Sequence, residues 1–186
     1  LTGRVGRYSL GVINVQTDRA GASRPTNFTV ARVRRDILRK SSVGLLYTKR
    51  SVSTLGTGSN ELFGADARLA WFQNLTIDTY WASTRTTGLQ GDTKSYRAQL
   101  QYNGDRYGLI LHRLYVGAQF NPETGFIYRD DVKKYFWQAR FSPRPRRIRG
   151  IRKVTFQAQV DHFDTASSSE LETRQVQGQF AVELQN

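Results

Sequence analysis

The sequence contains no cysteine and no methionine among its 186 residues. Without cysteine there can be no disulfide framework, no thiolate metal site and no thiol nucleophile. The absence assigns no compartment, because disulfide-free proteins occur in reducing and oxidising places alike. Long apolar runs are also missing, since no stretch approaches the ~18 apolar residues of a transmembrane helix. That excludes a helical membrane protein only, because the lipid-facing and lumen-facing residues of a membrane β-barrel alternate.

Helical periodicity is missing as well, and a period of two takes its place. No segment keeps the apolar i, i+3, i+4, i+7 spacing of an amphipathic helix for three turns. In the segment KSYRAQLQYN, residues 94–103, aromatic and aliphatic residues alternate with arginine and glutamine. Asn103-Gly104 follows and predicts a hairpin with a type I′ turn. We predict an all-β chain, one unit over residues 1–186, with about ten full strands and a partial strand at Leu1.

The chain is strongly basic, with a formal charge of +13. A charge of this size raises the hypothesis of a soluble basic β-protein that binds nucleic acid. The densest basic run, RPRRIRGIRK at residues 144–153, also suits a turn beside anionic lipid headgroups, where each basic residue contributes ~1 kcal/mol. No aromatic-interleaved platform for single strands accompanies it. We therefore favour the lipid interpretation and expect no nucleic-acid partner.

The connections between the predicted strands alternate in length. Short turns such as LRKSS, FQNLT and YNGDR alternate with long polar loops, including those around Gly21, Gly56 and Gly88. Bacterial outer-membrane barrels sort their connections in this way, with short periplasmic turns and long extracellular loops. Ten residues at ~40° tilt rise roughly 25 Å, which matches the apolar band. We therefore predict an antiparallel up-and-down transmembrane β-barrel in a bacterial outer membrane.

Two further features of the strands support this prediction. Trp71, Trp81, Tyr102 and Tyr47 are expected near strand ends, where an aromatic girdle would lie. The polar face of the alternation is expected to line the lumen, because an unpaired charge costs several kcal/mol in a dry core and little in water. That face is either a solute path or an interior braced by Arg–Asp pairs, and the sequence leaves both open. The lumen-facing candidates are Asp66, Arg68, Asp78, Arg97, Gln99, Gln101, Arg140, Gln157, Gln159, Asp161 and Gln175.

The long loop GAQFNPETGFIYRDD, residues 117–131, is predicted to be extracellular. Its Asn-Pro-Glu-Thr-Gly stretch favours a defined turn. Phe120, Phe126 and Tyr128 flank that turn. We expect these three aromatic side chains to pack over the barrel mouth or to offer a stacking surface to a sugar.

One acid–base cluster could support a hydrolase active site at the rim of the barrel. Asp161, His162 and Asp164 are close in sequence, and general base catalysis needs a histidine oriented by a carboxylate. However, His162 shares a face with Val160 and Ala158, which we assign to lipid, so Asp161 points the other way. The chain also lacks a Gly-x-Ser-x-Gly elbow. We expect an interfacial histidine, no catalytic residue, no cofactor and no metal site.

Several segments of the chain carry a family resemblance. They are LTGRVGRYSLGVINVQT, NFTVARVRRDIL, SYRAQLQYNGDRYGL, FNPETGF and FSPRPR. Together they resemble a bacterial family still labelled as a domain of unknown function, and the resemblance covers nearly the whole chain. In that family an outer-membrane-type β-barrel follows an N-terminal module similar to family-9 carbohydrate-binding domains.

The resemblance implies a larger, porin-like barrel of a Gram-negative bacterium. It also implies an N-terminal carbohydrate-binding domain beyond this chain, and export would place a signal peptide upstream of the sequence. The expected partners are outer-membrane lipid, a glycan and that N-terminal domain, and the expected role is glycan capture or solute passage. No catalytic residue can be carried over from the family.

Overall fold

The structure, a computed structural model, describes residues 1–19, 21, 24–148 and 150–185. These residues form one antiparallel sheet of eleven strands, in which each strand pairs with the next one in the sequence. The all-β prediction is confirmed, and the partial first strand is the four-residue β1. The strands are β1 (Thr2–Val5), β2 (Tyr8–Thr17), β3 (Thr26–Leu38), β4 (Ser41–Arg50), β5 (Asn60–Trp71), β6 (Leu75–Thr86), β7 (Lys94–Asn103), β8 (Tyr107–Val116), β9 (Val132–Phe141), β10 (Ile151–Thr165) and β11 (Leu171–Leu184).

The connections sort by length at the two ends of the sheet. One end, the short-turn end, carries the turns after β1, β3, β5 and β7 and the basic connection after β9. The other, the long-loop end, carries the loops after β2, β4, β6 and β8 and a five-residue turn after β10, residues 166–170. The sheet is open, because β1 pairs only with β2 and β11 only with β10 in the described part of the chain. Closure into a barrel therefore stays a prediction.

Alternation along each strand and register between strands give the sheet two different faces. Arg68 lies opposite Asp78, Asp78 opposite Gln99, and Gln99 opposite His112. Directly opposed residues point to the same side of a sheet, so this polar character continues from strand to strand. The side that carries these four residues is the inner face, and the other side is the outer face.

The outer face is aliphatic and aromatic, and it lies open. All three tryptophans of the chain are on it, with Trp71 38%, Trp81 46% and Trp137 48% exposed. Leu45 is 62% and Phe63 50% exposed on the same side. Soluble monomers rarely leave an apolar patch larger than a few hundred Å² open, and larger patches mark binding or membrane surfaces. We therefore expect the outer face to contact a partner or an apolar medium.

The aromatic residues of the outer face lie only partly where the sequence predicted them. Trp71 is the last residue of β5, and Tyr102 is one residue from the end of β7, as expected. Trp81 and Tyr47 instead lie well inside β6 and β4. Both strands continue with polar residues towards the long-loop end. The apolar band that lies between these aromatic residues is therefore shorter than the strands themselves.

A small packed core lies on the inner face at the long-loop end. Its buried apolar residues are Leu62, Ala82, Val116, Phe120 and Val132. Four of them belong to strands, and Phe120 comes from residues 117–131, which we call the inner loop. The sheet curls around this loop, because strands as far apart as β4 and β10 pack against the same cluster through Leu46 and Phe163.

The hairpin between β7 and β8 is confirmed, but its predicted type I′ turn is wrong. Asn103 pairs with Gly108, and the Gly104 N–H donates to the Tyr107 carbonyl at 2.9 Å, and the connection between β7 and β8 is residues 104–106. Gly104 is absent from the described glycines with positive φ, which a type I′ turn at this site requires. The Arg140 side chain donates to the Gly104 carbonyl at 2.7 Å from a neighbouring strand. Local turn propensity carries no information about such a contact.

Candidate functional site

The inner loop crosses the inner face of the sheet. It joins β8 to β9, yet its middle is bonded to β4, β5 and β6. The Thr124 hydroxyl donates to the Thr48 hydroxyl at 2.6 Å, and the Asn121 N–H donates to the Thr84 hydroxyl at 3.1 Å. Because these contacts join residues far apart in the sequence, they fix the loop inside the curl of the sheet.

Asn60 is the buried anchor of this crossing. It is 0% exposed, and its side-chain N–H₂ donates to the Thr86 hydroxyl and to the Asn121 carbonyl, both at 2.7 Å. Its side-chain oxygen accepts from the Glu123 N–H at 3.3 Å. A buried amide left without partners costs about 1–3 kcal/mol. The loop and Asn60 therefore stabilise each other.

Glu123 is the second anchor, and its side chain is 1% exposed. Its carboxylate accepts from the Ser53 hydroxyl at 2.6 Å and from the Thr54 N–H and hydroxyl at 2.9 and 2.8 Å. The Arg50 guanidinium lies 3.8 Å away. Burial raises the pKa of this carboxyl, but the hydrogen bonds from Ser53 and Thr54 and the charge of Arg50 outweigh burial, so the pKa is lowered. Glu123 thus holds the inner loop as a carboxylate.

The three aromatic residues of the inner loop have different surroundings. Phe120 is 7% exposed and packs in the core of the inner face. Phe126 and Tyr128 are 87% and 95% exposed. The structure therefore does not bring the three together, and only Phe126 and Tyr128 offer free aromatic surface.

All eleven lumen-facing candidates lie on the inner face. The register carries this face from Asp66 on β5 through Gln99 and Gln101 on β7 to Gln159 and Gln175 on β10 and β11. The structure places them together on one side, and their exposure to a water-filled lumen stays a prediction.

Four of these candidates converge at mid-height, and three of the four take part in ion pairs. Arg68 and Asp78 are 3.7 Å apart, and Asp66 is paired with Arg32 of β3. Asp66, Arg68, Asp78 and Arg97 line one cavity of about 290 Å³ together with Arg32 and Arg34. The braced interior left open by the sequence therefore has a geometric basis.

The remaining candidates make more local contacts. Arg140 donates to the Asn103 side chain at 3.0 Å and to the Ser142 hydroxyl at 2.9 Å, so it braces the short-turn end. Gln159 donates to Gln177 of the neighbouring strand at 2.5 Å. Such contacts stiffen the wall between neighbouring strands.

Sequence reasoning missed Arg32, Arg34, Asn60 and Glu123. In NFTVARVRRDIL arginines fall on both sides of the alternation, so the sequence alone does not assign the two faces of this strand. The register assigns them, because Arg34 lies opposite Gly44 and the next residue opposite Val43. Glu123 could have been found, since the Phe-Asn-Pro-Glu motif contains it. Nothing local marks Asn60.

The Asp161, His162 and Asp164 cluster is divided between the two faces. The His162 Nε2 lies 2.8 Å from the Asp164 carboxylate on the outer face, beside the Tyr135 ring. Asp161 lies on the inner face, 3.1 Å from the Lys134 ammonium. The three side chains therefore do not converge. Across the described residues, no group of three or more histidine, aspartate or glutamate side chains is placed to hold a metal ion.

The basic run at residues 144–153 lies at the short-turn end. Arg144 pairs with Asp105 at 2.6 Å, and Arg152 pairs with Glu183 at 3.0 Å. Arg149 lies outside the described residues, as do residues 20, 22 and 23 of the loop around Gly21. The described part of the basic run is thus partly neutralised by its neighbours.

Comparisons of the chain with protein-family models, curated proteins and solved structures found no match. The family resemblance therefore stays a prediction. No helix in the described ranges is long and apolar enough to cross a membrane.

Proposed function

We propose that this chain forms part of the wall of a bacterial outer-membrane β-barrel, with its outer face against lipid. The observation that carries the proposal is the contrast between the two faces of one continuous sheet. The outer face exposes all three tryptophans, whereas the inner face carries the arginines, aspartates and glutamines. Outward apolar bands with aromatic girdles and polar interiors are typical of membrane barrels.

The energetics of the outer face favour lipid over water. Burial of apolar surface contributes about 25 cal/mol per Å². Half-exposed residues such as Leu45, Phe63 and Trp137 recur across the outer face, and a shallow apolar hollow of about 820 Å³ lies on it between Tyr102 and Phe180. A soluble nucleic-acid-binding protein would leave this apolar surface in water. Nucleic-acid binding uses basic residues and gives no reason for such an exposed apolar face.

The open edges of the sheet support a larger barrel. Unpaired backbone N–H and C=O groups cannot face hydrocarbon, so open sheets do not span membranes. In the proposed setting, the free edges of β1 and β11 therefore pair with further strands. This agrees with the larger barrel that the family resemblance implies.

Between solute passage and glycan capture, the inner loop favours passage through a narrowed interior. Asn60 and Glu123 hold the loop across the inner face instead of letting it extend from the long-loop end. A loop fixed in this place reduces the cross-section of a lumen and selects among solutes. Phe126 and Tyr128 remain exposed and leave a sugar-stacking surface as the second candidate.

Membrane insertion is tested by two measurements on the full-length natural protein. It is expected to sediment with outer membranes and to require detergent for extraction. In whole cells, single cysteines in the cysteine-free background report topology with an impermeant maleimide. Phe126→Cys at the long-loop end is expected to react, and Arg106→Cys at the short-turn end is not.

These two positions suit the experiment better than the neighbouring ones. The Thr124 hydroxyl is bonded inside the sheet, and a Cβ at Gly104 would lie 2.9 Å from the Tyr102 hydroxyl. The reverse labelling pattern would invert the topology. Labelling of both cysteines in intact cells, or recovery of a soluble monomer without detergent, would refute the membrane proposal.

A further inference from the structure

An arginine-rich cavity lies on the inner face at mid-height. Its volume is about 290 Å³, and it is bounded by residues of β3 to β7. Four arginine and two aspartate side chains line it, and Ser42 lines it as well. The charged residues that line it are Arg32, Arg34, Arg68, Arg97, Asp66 and Asp78.

Both carboxylates of the cavity are already neutralised. Asp66 is paired with Arg32, and Asp78 lies 3.7 Å from Arg68. An incoming anion therefore meets two ion pairs and not two free negative charges. The remaining positive charge comes from Arg34 and Arg97.

Arg34 is only partly neutralised. Its nearest carboxylate is Asp36, at 3.5 Å, and the same carboxylate also accepts from Arg4 at 3.2 Å. One negative charge is thus shared between two guanidinium groups. Arg34 lines the cavity and is half exposed, with its side chain 54% accessible, so an anion in the cavity can reach it.

Arg97 has no carboxylate partner among the described residues. One terminal nitrogen donates to the Gln99 side-chain oxygen at 2.6 Å. Its Nε is buried and has no hydrogen-bond acceptor within the described part of the chain. A buried donor without an acceptor costs free energy, and Arg97 also lines the cavity.

We propose that this cavity binds the phosphate or carboxylate group of a small solute, with Arg97 and Arg34 as its main ligands. Planar guanidinium groups match the oxygens of phosphate and carboxylate in two parallel hydrogen bonds. The cavity lies on the same face as the inner loop, where a solute that passes the loop would arrive. That route rests on the proposed function, whereas binding to the cavity does not.

The test is a calorimetric titration of the full-length natural protein with inorganic phosphate, and separately with acetate. Wild-type protein is expected to bind at least one of these probes saturably. Arg97→Gln is expected to weaken binding about tenfold or more, because it removes a charge-assisted hydrogen bond. Arg34→Gln tests the second ligand in the same way. It also keeps the proposal testable if Arg97→Gln does not fold.

Matched controls remove the same charge from the outer face. Arg35 follows Arg34 on β3 but points to the other side, and Arg85 lies on the outer side of β6. Arg35→Gln and Arg85→Gln are expected to leave phosphate and acetate affinity within about twofold of wild type, because screened outer-face charges act weakly.

The results separate the proposals. If only phosphate binds, the cavity recognises the phosphate group of a solute. If only acetate binds, it recognises a carboxylate. If both bind, it is a general site for oxyanions. No saturable binding of either probe, or equal losses in the outer-face controls, would overturn the site. A protein that binds phosphate at Arg97 but stays soluble without detergent would overturn the membrane function and leave the site standing.

Discussion

Arg32 on β3 and Asp66 on β5 form an ion pair directly over Gly44 of β4, the strand that separates them. A Cβ at position 44 would lie 2.6 Å from an Arg32 terminal nitrogen and 2.9 Å from an Asp66 carboxylate oxygen. A methyl group at this position would therefore displace the ends of both side chains from their present geometry. The ion pair joins β3 to β5 across β4, and both of its residues line the arginine-rich cavity.

Gly44→Ala is expected to break this pair. Because both partners are about one-third exposed, the loss is ~1–2 kcal/mol of unfolding free energy. Urea unfolding of the folded protein measures it. Gly178→Ala is the control, since a Cβ there meets no atom within 4 Å. Equal losses in the two variants would show that the pair over Gly44 contributes nothing specific.

Glu123→Gln is expected to loosen the inner loop. It replaces a buried carboxylate that accepts bonds from Ser53 and Thr54, and hydrogen bonds to charged groups contribute ~1.5–3 kcal/mol. Chymotrypsin cleavage after Phe126 and Tyr128 should become faster. Asp130→Asn, the same chemical change at an exposed position of the loop, should leave the rate unchanged. An unchanged rate in Glu123→Gln would argue against the anchor.

The anchoring of the inner loop is expected to depend on pH. The folded-state pKa of Glu123 is lowered below the ordinary glutamate value. Its contribution is therefore fully present above the pKa of an unfolded glutamate and is lost as the pH falls through the lowered value. Chymotrypsin is poorly active in acid, so hydrogen exchange of residues 117–131 is the measurement. Wild-type protection should fall in this acidic window, and protection in Glu123→Gln should not change there. The same acid dependence in both proteins would assign it to another group.

The two faces of the sheet predict opposite responses to an added charge. Leu100 and Gln101 are neighbours on β7 that point to the outer and inner faces. Leu100→Arg should destabilise the lipid-embedded protein by ~2–4 kcal/mol, as expected for a charge on the lipid face of a barrel. Gln101→Arg should cost much less. Urea unfolding from lipid vesicles measures both, and equal costs would contradict the assignment of the faces.

The sequence predicted the elements of the fold that depend on local pattern. The period of two placed Asp66 and Gln99 on one face and separated Asp161 from His162, as the structure shows. The sequence prediction failed where contacts between residues far apart in the sequence determine the local structure. The Asn103-Gly104 turn is held by Arg140, 36 residues beyond Gly104.

The inner loop shows the same limit more strongly. Thr124 meets Thr48 across 76 residues of sequence, and Asn121 meets Asn60 across 61. Threonine and asparagine are ordinary loop and strand-end residues, so nothing in their local pattern reveals a loop that folds inward. The role of Gly44 is equally hidden, because it depends on side chains from the two neighbouring strands.

The central claim is that the outer face contacts lipid, and tryptophan fluorescence tests it most directly. All three tryptophans, Trp71, Trp81 and Trp137, lie on that face. In vesicles their emission should be quenched strongly by bromine on the lipid acyl chains and weakly by aqueous iodide. A control protein with these residues changed to Phe and with Phe136→Trp on the inner face should lose the bromine quenching. Strong iodide quenching of the three native tryptophans, with no effect of brominated lipid, would contradict the account.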